Sequence, residues 1–193
     1  VIYKDIPKEM LPDTESLKDT YERVIKYFDE EIKKKLVNKK TVAIIIEFVQ
    51  GDGGINICSK TFAKAIKDIC KSKKILLIGD EIQGGIGRTG KIFAYKHYGV
   101  NPDIITSAKG LGSGIPIGAT IVKKYISKMI STGFHGSTFG GNPLACKIAI
   151  EAVKIINDEH LLSNSTELGH IFRNSLINYK DKIIKDIRGI GLM

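Results

Sequence analysis

The apolar run ILLIGD (75–80) ends on Asp80, and Glu81, Ile82 and Gln83 follow it directly. Next come Gly85, Gly90 and Lys91, spaced as G-x-x-x-x-G-K, which imitates a loop that cradles a nucleoside triphosphate. Such a loop needs a Ser or Thr after its Lys to ligate magnesium, and it must open a helix directly. Position 92 is Ile, and Asp80-Glu81-Ile82-Gln83 stand between the run and the glycines. Two carboxylates where phosphates would approach are repulsive, so an NTPase reading fails. GLGSGIPIG (110–118) imitates a dinucleotide loop, but it follows Lys109 and opens no helix, so that match is weak as well.

The elements that carry these residues follow from hydrophobic periodicity. TVAIIIEFV (41–49) is a continuous β-branched run, which predicts a strand buried on both faces. ILLIGD (75–80), DIITSAK (103–109) and IGATIVKK (117–124) predict three more strands. Leu17, Tyr21, Val24, Ile25, Phe28, Ile32 and Leu36 recur at helical spacing after Pro12 and Asp13. Ser59 is placed to cap a second helix that turns Phe62, Ala63, Ile66, Ile69 and Cys70 inward. Asn142-Pro143 reads as an N-cap followed by Pro at the first helical position, opening a helix with Leu144, Ile148, Ala152, Val153 and Ile156. A further helix is predicted over about 161–179. Helices interleaved with buried strands predict an α/β fold with a mainly parallel sheet and flanking helices. Ligands of such sheets gather beyond the carboxyl ends of the strands. Asp80 and Glu81 end one strand, Glu47 ends another and Lys109 follows a third, so acids and one lysine should meet on one rim.

A lysine amine condenses with an aldehyde when its surroundings favour the neutral nucleophile. A neighbouring carboxylate can keep a pyridine nitrogen protonated through a charge-assisted hydrogen bond. Together these needs describe pyridoxal phosphate, whose pyridinium ring is an electron sink. Its phosphate wants hydroxyls and free backbone N–H groups, and HGSTFGGNP (135–143) offers Ser137, Thr138, two glycines and a helix start. Asp80-Glu81-Ile82-Gln83, Gly87-Arg88-Thr89-Gly90, Ser107-Ala108-Lys109-Gly110 and the stretch from His135 to Pro143 resemble, in order and spacing, the class III PLP-dependent aminotransferases. The resemblance runs from about residue 40 to the end, and DIRGIGLM (186–193) is similar to the family's entry into its C-terminal small domain. FAYKHYGVNPDIITSAKGLGSGIPIGA (93–119) looks most like the acetylornithine and ornithine aminotransferases.

The resemblance implies the large domain of fold type I, incomplete here. Residues 1–187 would be partial PLP-binding domain, with 1–40 a helical lead-in and 41–187 the sheet and helices. Residues 188–193 would begin the small domain. It implies that Lys109 bonds the cofactor aldehyde and serves as base and acid in the proton shift. Asp80 would pair with the pyridine nitrogen, Ile82 would pack on the ring face and Gln83 would meet the phenolic oxygen. Ser137 and Thr138 would reach the phosphate bound by the neighbouring subunit of a homodimer. Asp52, in QGDGG, stands where the family usually has Glu, which can pair with a substrate-binding Arg and move aside for the second substrate. Glu47 stands at the family's Glu-Pro, with Phe48 replacing Pro. For these two acids, an ordinary turn acid and strand-end acid are equal alternatives. Arg88 reads as a loop anchor rather than a substrate ligand.

The implied reaction moves the terminal amino group of N-acetylornithine or ornithine to 2-oxoglutarate, within amino-acid metabolism and arginine biosynthesis. A 4-aminobutyrate or other ω-amino-acid aminotransferase is the alternative within the class, with an aminomutase and a decarboxylase behind it. A catalytically incomplete binding or structural domain is the alternative outside it. The chain has 193 residues, no initiator Met and an abrupt end, which reads as a piece of a longer protein. The glycine-serine phosphate turn, the ring-stacking aromatic and the carboxylate-binding Arg of the family are missing, so the chain alone is expected to be inactive.

Composition narrows the remaining classes. The net charge of +9 invites a nucleic-acid reading, yet only four of the 30 basic residues are Arg, and the Lys clusters lack interleaved aromatics. They read as solvated helix faces. The four histidines form no metal spacing with Cys58, Cys70 and Cys146, so no metal is assigned. Three widely spaced cysteines suit reduced thiols in a cytoplasmic protein, and no apolar run approaches a membrane span.

Overall fold

A computed structural model describes residues 37–179, 184 and 186–193. The amphipathic stretch at 17–36 lies outside the described residues. In chain order the elements are β1 (Ala43–Ile46), β2 (Val49–Gln50), β3 (Asn56–Ile57), α1 (Lys60–Lys73), β4 (Leu76–Asp80), β5 (Ile104–Ser107), β6 (Ala119–Val122), α2 (Lys124–Ser127), α3 (Pro143–Asp158) and α4 (Leu161–Ile177). Short 3-10 turns span Ala94–His97 and Lys109–Gly112.

β1, β4, β5 and β6 form one sheet in that order. The β1–β4 and β4–β5 pairs are parallel, and β6 runs antiparallel to β5. The mainly parallel α/β fold expected from the sequence is the one found. The run at 41–49 is not one strand, however. It breaks at Glu47 and Phe48, and Val49–Gln50 turns into a small antiparallel hairpin with Asn56–Ile57. The cause is the Phe48 ring, which is 1% exposed and stacks on Tyr98 with centroids 5.3 Å apart. The Tyr98 hydroxyl donates to the Phe48 carbonyl oxygen at 3.0 Å, which fixes the exit from the sheet.

β1 is also not buried on both faces. Ile44 and Ile46 pack toward the cluster of Val37, Ile66, Ile69, Cys70 and Leu77, whereas Ile45, between them, is half exposed. The period-two alternation of a strand separates these sides. The other cluster joins Phe48, Val49, Ala63, Ala94, Tyr95, Val100 and Ile105, so α1 contributes to both.

Both helix starts legible in the sequence are present. Ser59 Oγ accepts from Phe62 N at 3.1 Å, and Asn142 Oδ1 accepts from Ala145 N at 2.9 Å. The inward face of α3 differs from expectation. Its buried residues are Ala145, Ala149 and Ala152, while Leu144 is 69% exposed. This helix packs against α4 and the glycine-containing Lys109–Gly112 turn, where small side chains permit close approach. The end of the chain closes over α4 through Arg173 Nη1, which donates to the Gly191 carbonyl oxygen at 2.8 Å. A Cβ at Gly169 would overlap that same carbonyl, so position 169 has no room for a side chain.

The burial pattern predicts that Phe48→Ala costs about 3–5 kcal/mol. Leu144→Gln should stay within about 0.5 kcal/mol of the parent. Urea unfolding of both variants checks this, and similar losses would contradict the assigned faces.

Candidate active site

The carboxyl ends of the parallel strands β1, β4 and β5 share one rim. Pairing sets Asp80 opposite Thr106, and Glu81 N donates to the Thr106 carbonyl oxygen at 2.9 Å just past the end of β4. Asp80 Oδ1 accepts from Ile82 N at 3.1 Å and from Thr106 Oγ1 at 3.3 Å. Among the described residues, no donor reaches Asp80 Oδ2. The carboxylate is thus held by one oxygen and open at the other.

Lys109 begins the turn after β5 with φ +45°, a left-handed backbone conformation. A non-glycine residue adopts it at a cost of order 1–3 kcal/mol when its surroundings dictate it. Its neighbours do so here: Leu111 N donates to the Ala108 carbonyl oxygen at 3.0 Å, and a Cβ at Gly110 would lie 3.3 Å from Ile86 Cβ. Ile86 is itself left-handed, with φ +52°. Both residues line an open cavity of about 620 Å³, together with Ile82, Gln83, Asn164 and Met193. Asp80 does not line it, but is joined to Ile82 by the hydrogen bond above.

Gln83 Nε2 donates to Asp52 Oδ1 at 2.8 Å, so the hairpin after β1 reaches the turn after β4. Glu47 serves its own turn, where Oε2 accepts from Gly51 N at 3.1 Å. Arg88 acts through its backbone: its carbonyl oxygen accepts from Ser165 Oγ at 3.1 Å and Leu192 N at 3.0 Å. Arg88 is itself exposed and lines the same cavity as Lys109. Ser137 and Thr138 lie in an exposed segment before α3, and no hydrogen bond described for them joins Asp80, Gln83 or Lys109. Ser137 Oγ instead accepts from Gly140 N at 3.1 Å.

Sequence reasoning counted Glu81 among the rim acids and gave no separate task to Thr106 or Ser107, but the structure turns Glu81 into the interior. Glu81 is fully buried, and its two oxygens accept from Ala94 N at 2.6 Å and Tyr95 N at 2.8 Å. One carboxylate therefore ties the end of β4 to the Ala94–His97 turn and closes the loop that carries Ile82 and Gln83. Burial pushes its carboxyl up to about 7; the two backbone donors oppose that shift and the Asp80 charge adds to it. Ser107 Oγ is buried without a hydrogen-bond partner among the described residues. The sequence signal for Thr106 and Ser107 is their place at the last positions of an apolar run, just before Lys109.

A lysine, a half-engaged carboxylate and an orphaned hydroxyl near the ends of adjacent parallel strands suit a small polar aromatic group such as pyridoxal phosphate. The donor set fits that group: an amine for its aldehyde and a carboxylate for its ring nitrogen. Among the described residues there is no cluster of three or more metal-ligating side chains, and no helix is long and apolar enough to cross a membrane.

Residues 2–193 match the family described as aminotransferase class-III. An acetylornithine aminotransferase from Methanocaldococcus jannaschii is 48% identical over 173 residues, which are 89% of this chain and 44% of that protein. The ornithine aminotransferase of Toxoplasma gondii, in a structure with partial occupancy of PLP at the active site, aligns with a TM-score of 0.79 at 39% identity. That alignment covers 87% of this chain and 39% of the other. An (S)-enantioselective ω-transaminase from Thermomicrobium roseum aligns with a TM-score of 0.84 at 32% identity, over 93% of this chain and 41% of its own. The chain thus spans less than half the length of each of these relatives.

The buried Glu81 carboxyl predicts a pH-dependent stability. With its folded value raised from 4.5 to about 7, its contribution is fully present below 4.5 and is lost as pH rises to about 7. Glu81→Gln removes the titration. Urea midpoints between pH 4 and 8 should show the parent's advantage over the variant shrinking across that window; a constant difference would contradict the assignment.

Proposed function

The chain belongs to the class-III aminotransferases, and on that premise we propose that it carries the lysine side of a PLP-dependent site that moves the terminal amino group of N-acetylornithine or ornithine to 2-oxoglutarate. The observation that carries the reading is the pairing of β4 with β5, which brings the half-engaged Asp80 and the left-handed Lys109 to one rim. Pyridoxal phosphate is the family's cofactor, and when bound it supplies an electron sink for charge developing beside the amino group.

The chain's own residues have separate tasks. Asp80 Oδ2 would accept a hydrogen bond from the protonated ring nitrogen and so keep the proton on that nitrogen, because a carboxylate beside it favours the charged form. Ile82, which lines the cavity beside Lys109, would pack on the ring face and exclude water. Gln83, on the same cavity wall, would orient the ring through its phenolic oxygen. Lys109 Nζ would hold the cofactor through its aldehyde carbon until the substrate's amine displaces it. The freed lysine amine would then take the proton from the carbon bearing the substrate's amino group and return it on the far side of that nitrogen. Asp52 and Glu47 are the candidate acids for the substrate side, and Glu47 braces the turn that carries Asp52 by accepting from Gly51 N.

Ser137 and Thr138 reach the phosphate of a neighbouring subunit in a homodimer. Their exposed position before the α3 N-terminus supports that arrangement. Residues 1–187 then form part of a PLP-binding domain, and 188–193 lead into the small one, in the cytoplasm. The alignment with the Thermomicrobium ω-transaminase favours a second reading, a 4-aminobutyrate or other ω-amino-acid aminotransferase. A non-catalytic binding domain is the remaining alternative.

Visible spectra with added pyridoxal phosphate test the assignment. The parent chain should show a band that borohydride bleaches, and Lys109→Ala should lack it. Identical spectra would refute the role of Lys109. With the band in hand, N-acetylornithine or ornithine should alter it at lower concentration than 4-aminobutyrate; the reverse order would favour the ω-amino-acid reading.

A further inference from the structure

Asp52 has a neighbour within this chain that gives it a definite task. Its Oδ1 accepts from Gln83 Nε2 at 2.8 Å, across 31 residues of sequence. Its hairpin is braced on both sides. Gly51 N donates to Glu47 Oε2 at 3.1 Å, Gly54 N to the Gly51 carbonyl oxygen at 3.1 Å, and Asn56 Nδ2 to Gln50 Oε1 at 3.0 Å and the Gly53 carbonyl oxygen at 2.8 Å. Arg188 Nε donates to the Gly54 carbonyl oxygen at 2.9 Å from the far end of the chain. The tip is therefore positioned by its own turn before Gln83 meets it.

The Gln83 amide lies directly over Gly51. A Cβ there would overlap Gln83 Oε1, so only glycine leaves space for this approach. The carboxylate then decides which way the amide faces. Turned over, the amide would put Oε1 against Asp52 Oδ1, two acceptors at hydrogen-bond distance, which repel. With Nε2 toward Asp52, one of its two N–H groups is engaged and the other remains, while Oε1 has no donor among the described residues.

We propose that Asp52 is a positioning residue for Gln83, locking the orientation of its amide at the rim that carries Lys109. This rests on the PLP reading for its consequence, because Gln83 is the side chain assigned to the ring's phenolic oxygen. It gives Asp52 a partner within this chain, in addition to the substrate-binding arginine that the family's Glu can pair with. A carboxylate tied to a rim amide would act on the cofactor's electronic state through Gln83.

Asp52→Asn is the informative change, because an Asn amide can meet Gln83 in either orientation and so releases the lock. Two measurements separate this inference from the function it rests on. In the chain without cofactor, the Gln83 side-chain amide signals in a ¹⁵N–¹H correlation spectrum should move in Asp52→Asn and in Asp52→Ala. Unmoved signals would overturn the proposal without reference to any cofactor. In the chain loaded with pyridoxal phosphate, the pH midpoint of the visible band should shift by about one pH unit in Asp52→Asn, as in Gln83→Ala. The double variant should shift no further than either single one. An unchanged midpoint, with more of one substrate now needed to alter the band, would overturn the positioning role and leave Asp52 to the substrate alone. Absence of any Lys109-dependent band would instead refute the PLP reading, and the amide spectra would still decide whether Asp52 locks Gln83.

Discussion

The parallel pairing of β4 with β5 is the constraint on which the site depends. Its register, Ile78 with Ile104 through Asp80 with Thr106, sets two chain exits side by side. One exit carries Asp80, Glu81, Ile82 and Gln83, and the other carries Ser107 and Lys109. A slip of one residue would turn Asp80 to the opposite face of the sheet and separate it from Thr106 Oγ1. Leu77 N donates to Asp103 Oδ2 at 3.0 Å, and Asp103 also pairs with Lys123 Nζ at 2.7 Å. That pair fastens the opposite end of β4 and β5 and ties in the end of β6, so the register is held from below as well as at the rim.

Above the rim, a single buried carboxylate does the closing. Glu81 follows Asp80 immediately, so its two backbone donors in the Ala94–His97 turn restrain the loop that bears Ile82 and Gln83. Gly84 and Gly85 make this possible. A Cβ on Gly84 would lie 3.2 Å from Ala94 Cβ, and one on Gly85 would lie 2.5 Å from the Glu81 carbonyl oxygen. Gly85, the first glycine of the phosphate-loop imitation, is thus a packing glycine against Glu81, and Gly90, the second, packs against Thr166.

The sequence made the rim legible because residue type and run ends carry that signal. Asp80 ends one apolar run and Lys109 follows another, and parallel strands bring such ends together. The caps at Ser59 and Asn142 were legible for a local reason: their acceptors act on N–H groups three residues away. Other features had no such signature. The antiparallel direction of β6 leaves the same alternation as a parallel strand would. The break at Phe48 depends on Tyr98, 50 residues away. The alanine face of α3 was hidden because large apolar residues mark a core, whereas a helix beside a glycine turn buries small ones. Glu81 binds backbone N–H groups, which no residue type announces, and Gln83 finds Asp52 only through the folded hairpin.

The two proposed halves of the site are built in different ways, and that difference has a physical meaning. Asp80, Gln83 and Lys109 are fixed by strand pairing, a buried carboxylate and strained backbone within one chain. Ser137 and Thr138 sit on a segment whose large apolar residues face water: Met129, Phe134 and Phe139 are each at least 75% exposed. Clustered apolar exposure of that kind marks an interaction surface. Leu144 and Ile150 of α3 are exposed as well. Covering such a surface with a second copy would bury it and would order the hydroxyls in the same step. The rigid half can therefore preorganise a ring before assembly, whereas the phosphate-binding half would form only on association. Binding of the phosphate and association of subunits would then be thermodynamically linked, each strengthening the other by the same factor.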